Sequence, residues 1–100
     1  IGNHVDNILT GEYKTYHENG ILKSEEVIVD GMPSGKRYTY YKNGALERIE
    51  NYIYGKLSGW IKSYYDDGSM MKEEYFALGN LQRSKLYGKD GLLISTYGYH

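Results

Sequence analysis

Glycines recur at a fixed interval in this chain, and few folds accommodate such a pattern. Gly11, Gly35 and Gly59 are spaced by 24 residues; each is followed nine residues on by Gly20, Gly44 or Gly68, and twenty residues on by Gly31, Gly55 or Gly79. A fourth unit is one residue shorter, with Gln82 in the first glycine position and Gly91 in the second. Aligned, the four stretches read GEYKTYHENG, GKRYTYYKNG, GWIKSYYDDG and QRSKLYGKDG. A period of roughly 20–50 residues is the signature of a stacked repeat, in which each unit buries surface against its neighbours.

Within the unit, one aromatic position does not vary: Tyr16, Tyr40, Tyr64, Tyr87. The next holds His17, Tyr41, Tyr65 and Gly88, and two residues past the turn glycine stand Leu22, Leu46, Met70 and Leu93. A later position holds Ile28, Tyr52, Phe76 and Tyr99, with mostly charged or polar residues between.

Every unit turns on Asn-Gly or Asp-Gly: Asn19-Gly20, Asn43-Gly44, Asp67-Gly68, Asp90-Gly91. This dipeptide between apolar segments predicts a β-hairpin with a two-residue type I′ turn, both central residues at positive φ. A second connection, from about Gly31 to Gly35, reads as longer. Strands of roughly six or seven residues result, about eight in all, making a sheet roughly 40 Å long at ~4.8 Å spacing. A two-residue turn would set Tyr41 opposite Leu46, Tyr65 opposite Met70 and His17 opposite Leu22, with Tyr40 and Glu47 on the other face. Each face then carries aromatics diluted by charge, so the expected fold is all-β: an elongated single-layer antiparallel meander of about four tandem hairpins. Repeats run over about 11–34, 35–58, 59–81 and 82–100. Residues 1–10 form a leader in which Val5 to Leu9 is expected to add a short strand over the first edge.

Composition agrees and narrows the chemistry. Thirteen Tyr and 13 Gly stand beside one Phe, one Trp and one Pro; Tyr suits half-exposed strands. A hundred residues make one domain. Twelve basic and 13 acidic residues give a net charge of −1, so no nucleic-acid partner is expected and membrane association has little support. Without cysteine, thiol chemistry and disulfides are absent. A chain opening on Ile1 is expected of a processed or trimmed product.

The pattern G-x-x-x-x-Y-Y-x-N-G-x-L, a charged segment, an aromatic and G-K-x-x-G resembles the MORN repeat family, nearest to its short bacterial variant, which is described as the antitoxin of toxin–antitoxin pairs. The match is carried by Gly35 to Leu46 with Tyr52 and Gly55-Lys56-Leu57-Ser58-Gly59, and by Gly59 to Met70 with Phe76. It extends over residues 11 to 100 and departs at His17, Gln82, Gly88 and the shortened fourth unit. The resemblance implies a scaffold that binds proteins or membranes.

No catalytic constellation is present, and neither metal nor cofactor is expected. His4, His17 and His100 have no metal-ligand spacing. Glu25-Glu26 and Glu73-Glu74 are adjacent on strands, so each pair splits between faces and forms no proton-sharing dyad. Gly35-Lys36 and Gly55-Lys56 precede no helix that would favour an anion. The residues left for function are aromatic: Tyr40, Tyr64, Trp60, Tyr16 and Tyr87 are expected to bind a protein partner, a toxin among the candidates, through one sheet face centred on repeats two and three. Surface-glycan or cell-wall binding is the alternative. The compartment follows the partner: cytoplasm for an antitoxin, envelope or exterior for a glycan binder. Self-association through a sheet face or edge is a further expectation, since the last strand, near Leu92-Leu93-Ile94, invites pairing with another chain or with additional repeats.

Overall fold

A computed structural model describes residues 4, 5 and 8–99; His100 lies outside them. The chain is all-β, as the repeat predicts. In the leader, β1 (His4–Val5) pairs only with β2 (Ile8–Leu9). This corrects the expectation for Val5 to Leu9: among the described residues, β1 and β2 form a separate two-stranded ribbon and neither extends the main sheet.

The repeats supply β3 (Gly11–Tyr16), β4 (Leu22–Val29), β5 (Met32–Tyr40), β6 (Leu46–Ile53), β7 (Lys56–Leu57), β8 (Gly59–Tyr64), β9 (Met70–Ala77), β10 (Asn80–Tyr87) and β11 (Leu93–Tyr97). They form one antiparallel sheet in chain order, β3-β4-β5-β6-β8-β9-β10-β11, with short β7 also on β6. Because β7 and β8 are one segment interrupted at Ser58, the nine strands match the eight expected. The molecule measures 49 × 35 × 12 Å. Two packed sheets would stand about 10 Å apart before their outer side chains are counted, so this is a single layer.

The two connections exchange the roles expected of them. Tyr41 N–H donates to the Ala45 carbonyl (2.8 Å) and Gly44 N–H to the Tyr41 carbonyl (2.9 Å), and the other three units repeat the pattern. The loop therefore has three residues, Lys42-Asn43-Gly44, with only the glycine at positive φ (88°), a type I turn closed by a left-handed residue. The two-residue type I′ turns lie at the second connection, Asp30-Gly31, Tyr54-Gly55 and Leu78-Gly79, where Asp30 (φ 52°), Tyr54 (50°) and Leu78 (46°) are themselves left-handed.

The longer loop corrects the register. Tyr16, Tyr40, Tyr64 and Tyr87 pair with Leu22, Leu46, Met70 and Leu93, and one extra residue follows in each unit (Lys23, Glu47, Met71, Ile94). Leu46 is thus opposite Tyr40, not Tyr41. This one-residue bulge shifts the alternation, so that Leu46 pairs with Tyr40 on one face while Arg48 pairs with Thr39 on the other.

A second bulge accounts for the fourth repeat. Between fixed pairs, Glu26 alone lies across from Gly35, Lys36 and Arg37, and Glu50 and Asn51 lie across from Ser58 to Ile61. Each is an excess of two residues, with Gly35 (φ 78°) and Gly59 (φ 86°) left-handed within it. In the last repeat the excess is Gln82 alone, which has no positive φ. Losing one residue and losing the glycine are therefore one event: a smaller bulge removes the need for a left-handed residue.

The faces differ. The covered face holds Ile61, wholly buried and the one buried apolar side chain among the described residues, together with buried Ser24, Ser63 and Glu50. The other, open face carries Tyr40, Tyr64 and Trp60. Little apolar core exists, so cohesion between repeats depends on ties of other kinds.

Candidate functional site

On the covered face, charge is paired inside the sheet. Glu50 accepts from Arg37 Nη1 (3.2 Å), Arg48 Nε (2.9 Å) and the Tyr52 hydroxyl (3.2 Å). Arg37 also meets Glu26 (3.5 Å), and Arg48 meets Glu74 (4.0 Å) and the Ser63 hydroxyl (3.3 Å). Burial opposes the charge on Arg37, but the bond to Glu50 and the field of Glu26 and Glu50 outweigh it and raise its pKa. Burial, then Glu50, raises that of Tyr52. This network spans five strands and is satisfied.

Glu25 and Glu73 point the other way, as strand alternation requires. Glu25 accepts from the Tyr40 hydroxyl (2.9 Å) and Glu73 from that of Tyr87 (3.3 Å), and burial followed by the carboxylate raises both tyrosine pKa values. At the equivalent place for Tyr64 stands Ile49. The sequence-predicted tyrosines thus form one row at the strand ends, and their surroundings are structural for Tyr40 and Tyr87. Tyr16 closes the row at the β3 edge, 60% exposed.

The second aromatic position makes the tie between repeats. His17 Nε2 donates to the Tyr40 carbonyl (2.8 Å), Tyr41 Oη to the Tyr64 carbonyl (2.6 Å) and Tyr65 Oη to the Tyr87 carbonyl (2.7 Å). A carbonyl only accepts, so the His17 proton sits on Nε2. The turn asparagines act in parallel: Asn19 Nδ2 donates to the Lys42 carbonyl and Asn43 Nδ2 to the Asp66 carbonyl, both at 3.0 Å. Each reaches forward by one repeat. His17 replaces Tyr because an imidazole N–H also reaches the carbonyl, and Gly88 has no side chain to make the bond.

Trp60 lies at the far end of β8 from Tyr64, on the same open face, and is 40% exposed. The structure places it with residues that sequence reasoning missed. Its ring packs on Tyr75 (centroids 5.1 Å, tilted by 57°); Arg83 lies over Tyr75 (5.1 Å) and Tyr99 (5.8 Å), and Lys85 over Tyr99 (4.9 Å). Trp60, Tyr75 and Arg83 are successive cross-strand partners. The signal was hard to read because this row differs between units: Glu12, Lys36, Trp60 and Arg83 share one repeat position, and Val27, Asn51, Tyr75 and Gly98 another. Tyr99 also leaves its expected place. Its counterparts Ile28, Tyr52 and Phe76 follow the covered-face alternation, whereas Gly98 (φ 82°) ends β11 and carries Tyr99 to the open face.

The cations of this cluster differ from those opposite. Among the described residues, Arg37 and Arg48 are paired with carboxylates, whereas Lys62, Arg83 and Lys85 have no carboxylate within salt-bridge distance. Arg83 and Lys85 rest on rings instead, an attraction of about 0.5–1 kcal/mol at exposed sites that leaves the charge available. Among the described residues no group of three or more metal-ligating side chains comes together.

Two consecutive segments, residues 9–30 and 33–54, match the family model of the MORN repeat variant. No curated protein and no solved structure matches the chain. Repeats three and four, outside the matched segments, keep the same hairpin, the same bulge after the turn and the same first-position tyrosine.

Proposed function

We propose that this chain is a non-enzymatic binding scaffold whose open face docks a protein partner at the end formed by repeats three and four. The observation that carries this reading is the run Trp60, Tyr75, Arg83, Tyr99: three rings and a guanidinium, each against the next, partly exposed on the sheet. Trp, Tyr and Arg dominate the energetic centres of protein interfaces because they combine large area with few rotatable bonds. Lys62, Arg83 and Lys85 outnumber the one carboxylate among their cross-strand partners, Glu73, and favour a partner segment that brings carboxylates beside an apolar anchor. A toxin neutralised by such a scaffold, which the repeat resemblance implies, is the finer form of this reading.

Glycan binding would call for shallow, evenly spaced aromatic floors along the sheet. Here Trp60, Tyr75 and Tyr99 gather at one corner, the more exposed Tyr16 and Tyr54 stand singly elsewhere, and the Tyr40 and Tyr87 hydroxyls are engaged internally, which favours the protein reading. The test compares Trp60→Ser/Arg83→Ser with Tyr40→Phe, all shown to be folded by circular dichroism, in pull-downs from native lysate beside a glycan array. The double variant is expected to lose a protein that wild type and Tyr40→Phe both capture. Equal capture by all three, or binding to glycans alone, removes the proposal.

A further inference from the structure

The two edges of the sheet are built differently. β3 carries Glu12 and Lys14, both exposed, the kind of charge that discourages edge pairing. β11 reads Leu93-Ile94-Ser95-Thr96-Tyr97, exposed throughout and without charge or proline; Leu93 is 52% and Ile94 62% exposed. An uncharged strand rich in β-branched and aromatic residues is a template for another strand.

A further repeat of the same kind is a poor occupant. The forward ties made by His17, Tyr41 and Tyr65 have no counterpart at Gly88, which lacks the side chain. Gly98 also ends β11 after five residues, where β4, β6 and β9 have eight. A Cβ on Gly98 would stand 2.2 Å from the Gln82 carbonyl oxygen and 2.9 Å from Arg83 Cα, so the chain turns there against β10 and departs from the repeat path.

We infer that β11 pairs antiparallel with β11 of a second copy about a twofold axis, joining two sheets tail to tail. An antiparallel strand pair closes under twofold symmetry and leaves no further edge of the same kind. With Thr96 at the axis, in the regular part of β11 beyond the bulge at Ile94, Ser95 faces Tyr97 of the second copy and Thr96 faces its own mate, so no charge opposes its like. The second copy is favoured over an unrelated chain because this register makes the strand complementary to itself, and over head-to-tail growth because β3 bears charge.

Sedimentation of the full 100-residue chain over a concentration series tests this. Wild type is expected to double its mass from 11.5 kDa, and Ile94→Glu/Thr96→Glu, in which residue 96 still faces Lys85, to remain monomeric. Thr15→Lys on β3 is expected to leave the dimer intact. Hydrogen exchange on wild type gives a second readout: β11 amides should gain protection with concentration while β3 amides do not. A wild type that stays monomeric, species growing beyond the dimer, or loss of assembly through the β3 variant instead of the β11 variant overturns the inference.

Discussion

The Tyr41 hydroxyl donates a 2.6 Å hydrogen bond to the backbone carbonyl of Tyr64, 23 residues along the chain. Tyr65 repeats the bond to Tyr87 and His17 precedes it with a bond to Tyr40. In a sheet with one fully buried apolar side chain among the described residues, such bonds take over part of the work that a core does elsewhere. Each also fixes the stacking register of successive hairpins, because the acceptor is a backbone atom at one place.

Removing the hydroxyl tests this directly. Tyr41→Phe and Tyr65→Phe keep the ring and lose the donor, and each is expected to lower stability by about 1 kcal/mol. Urea denaturation followed by circular dichroism measures it. Midpoints equal to wild type would mean that ring packing alone holds the repeats.

Alkaline pH should act on the same groups. Burial first, then Glu25 for Tyr40, Glu47 for Tyr41 and Glu50 for Tyr52, raises these pKa values above the ordinary 10.0. The folded state thus favours the neutral phenol, so the stabilisation is fully present below pH 10.0 and is lost as pH rises through the folded values. Urea midpoints are expected to hold between about pH 8 and about pH 9 and fall by about pH 11. Tyr41→Phe should show a smaller fall, and an identical profile in that variant would refute the assignment to Tyr41.

The type I′ turns contain removable strain. Tyr54 and Leu78 adopt φ of 50° and 46° while 81% and 55% exposed, so little packing offsets a left-handed conformation that costs about 1–2 kcal/mol. Tyr54→Asn and Leu78→Asn are each expected to raise stability by about 1 kcal/mol, since asparagine tolerates this conformation. Thermal melts read the change. A lower melting temperature in both variants would show that these side chains stabilise the fold after all.

Glu50 anchors the covered face. It is 8% exposed and accepts from two arginines and a tyrosine. Glu50→Ala leaves Arg37 and Arg48 about a third exposed, so water and the remaining glutamates moderate the loss to about 2 kcal/mol. Chemical denaturation would register that loss as an earlier midpoint, and a change within a few tenths would show the network to be dispensable.

Much of this was legible in the sequence. The period gave strand count, chain order and single-layer form, because a 24-residue unit with two turns has little other way to lie against its neighbours. Adjacent glutamates separated to opposite faces as strict alternation demands. Turn type was misjudged because Asn-Gly suits both a two-residue turn and the third position of a type I turn with a left-handed glycine; the choice depends on pairing across the whole hairpin. Tyr54 and Leu78 are residues that a turn argument passes over, and only the closure of strands on either side forces them into a left-handed backbone. Of the candidate surface, Trp60 was found from its type alone. Tyr75 and Arg83 were missed because they occupy positions where the repeats disagree, and repeat logic sees only where they agree; Tyr99 holds a shared position, but Gly98 carries it to the other face.

What the amino-acid order settled by itself was periodicity: local turn chemistry recurring along the chain is enough to dictate successive antiparallel strands. What only the tertiary structure decided was which side chains meet. A bulge of one residue moves every later side chain to the other face, and bonds such as Tyr41 to Tyr64 join atoms that are remote in the chain and become neighbours only when the hairpins stack.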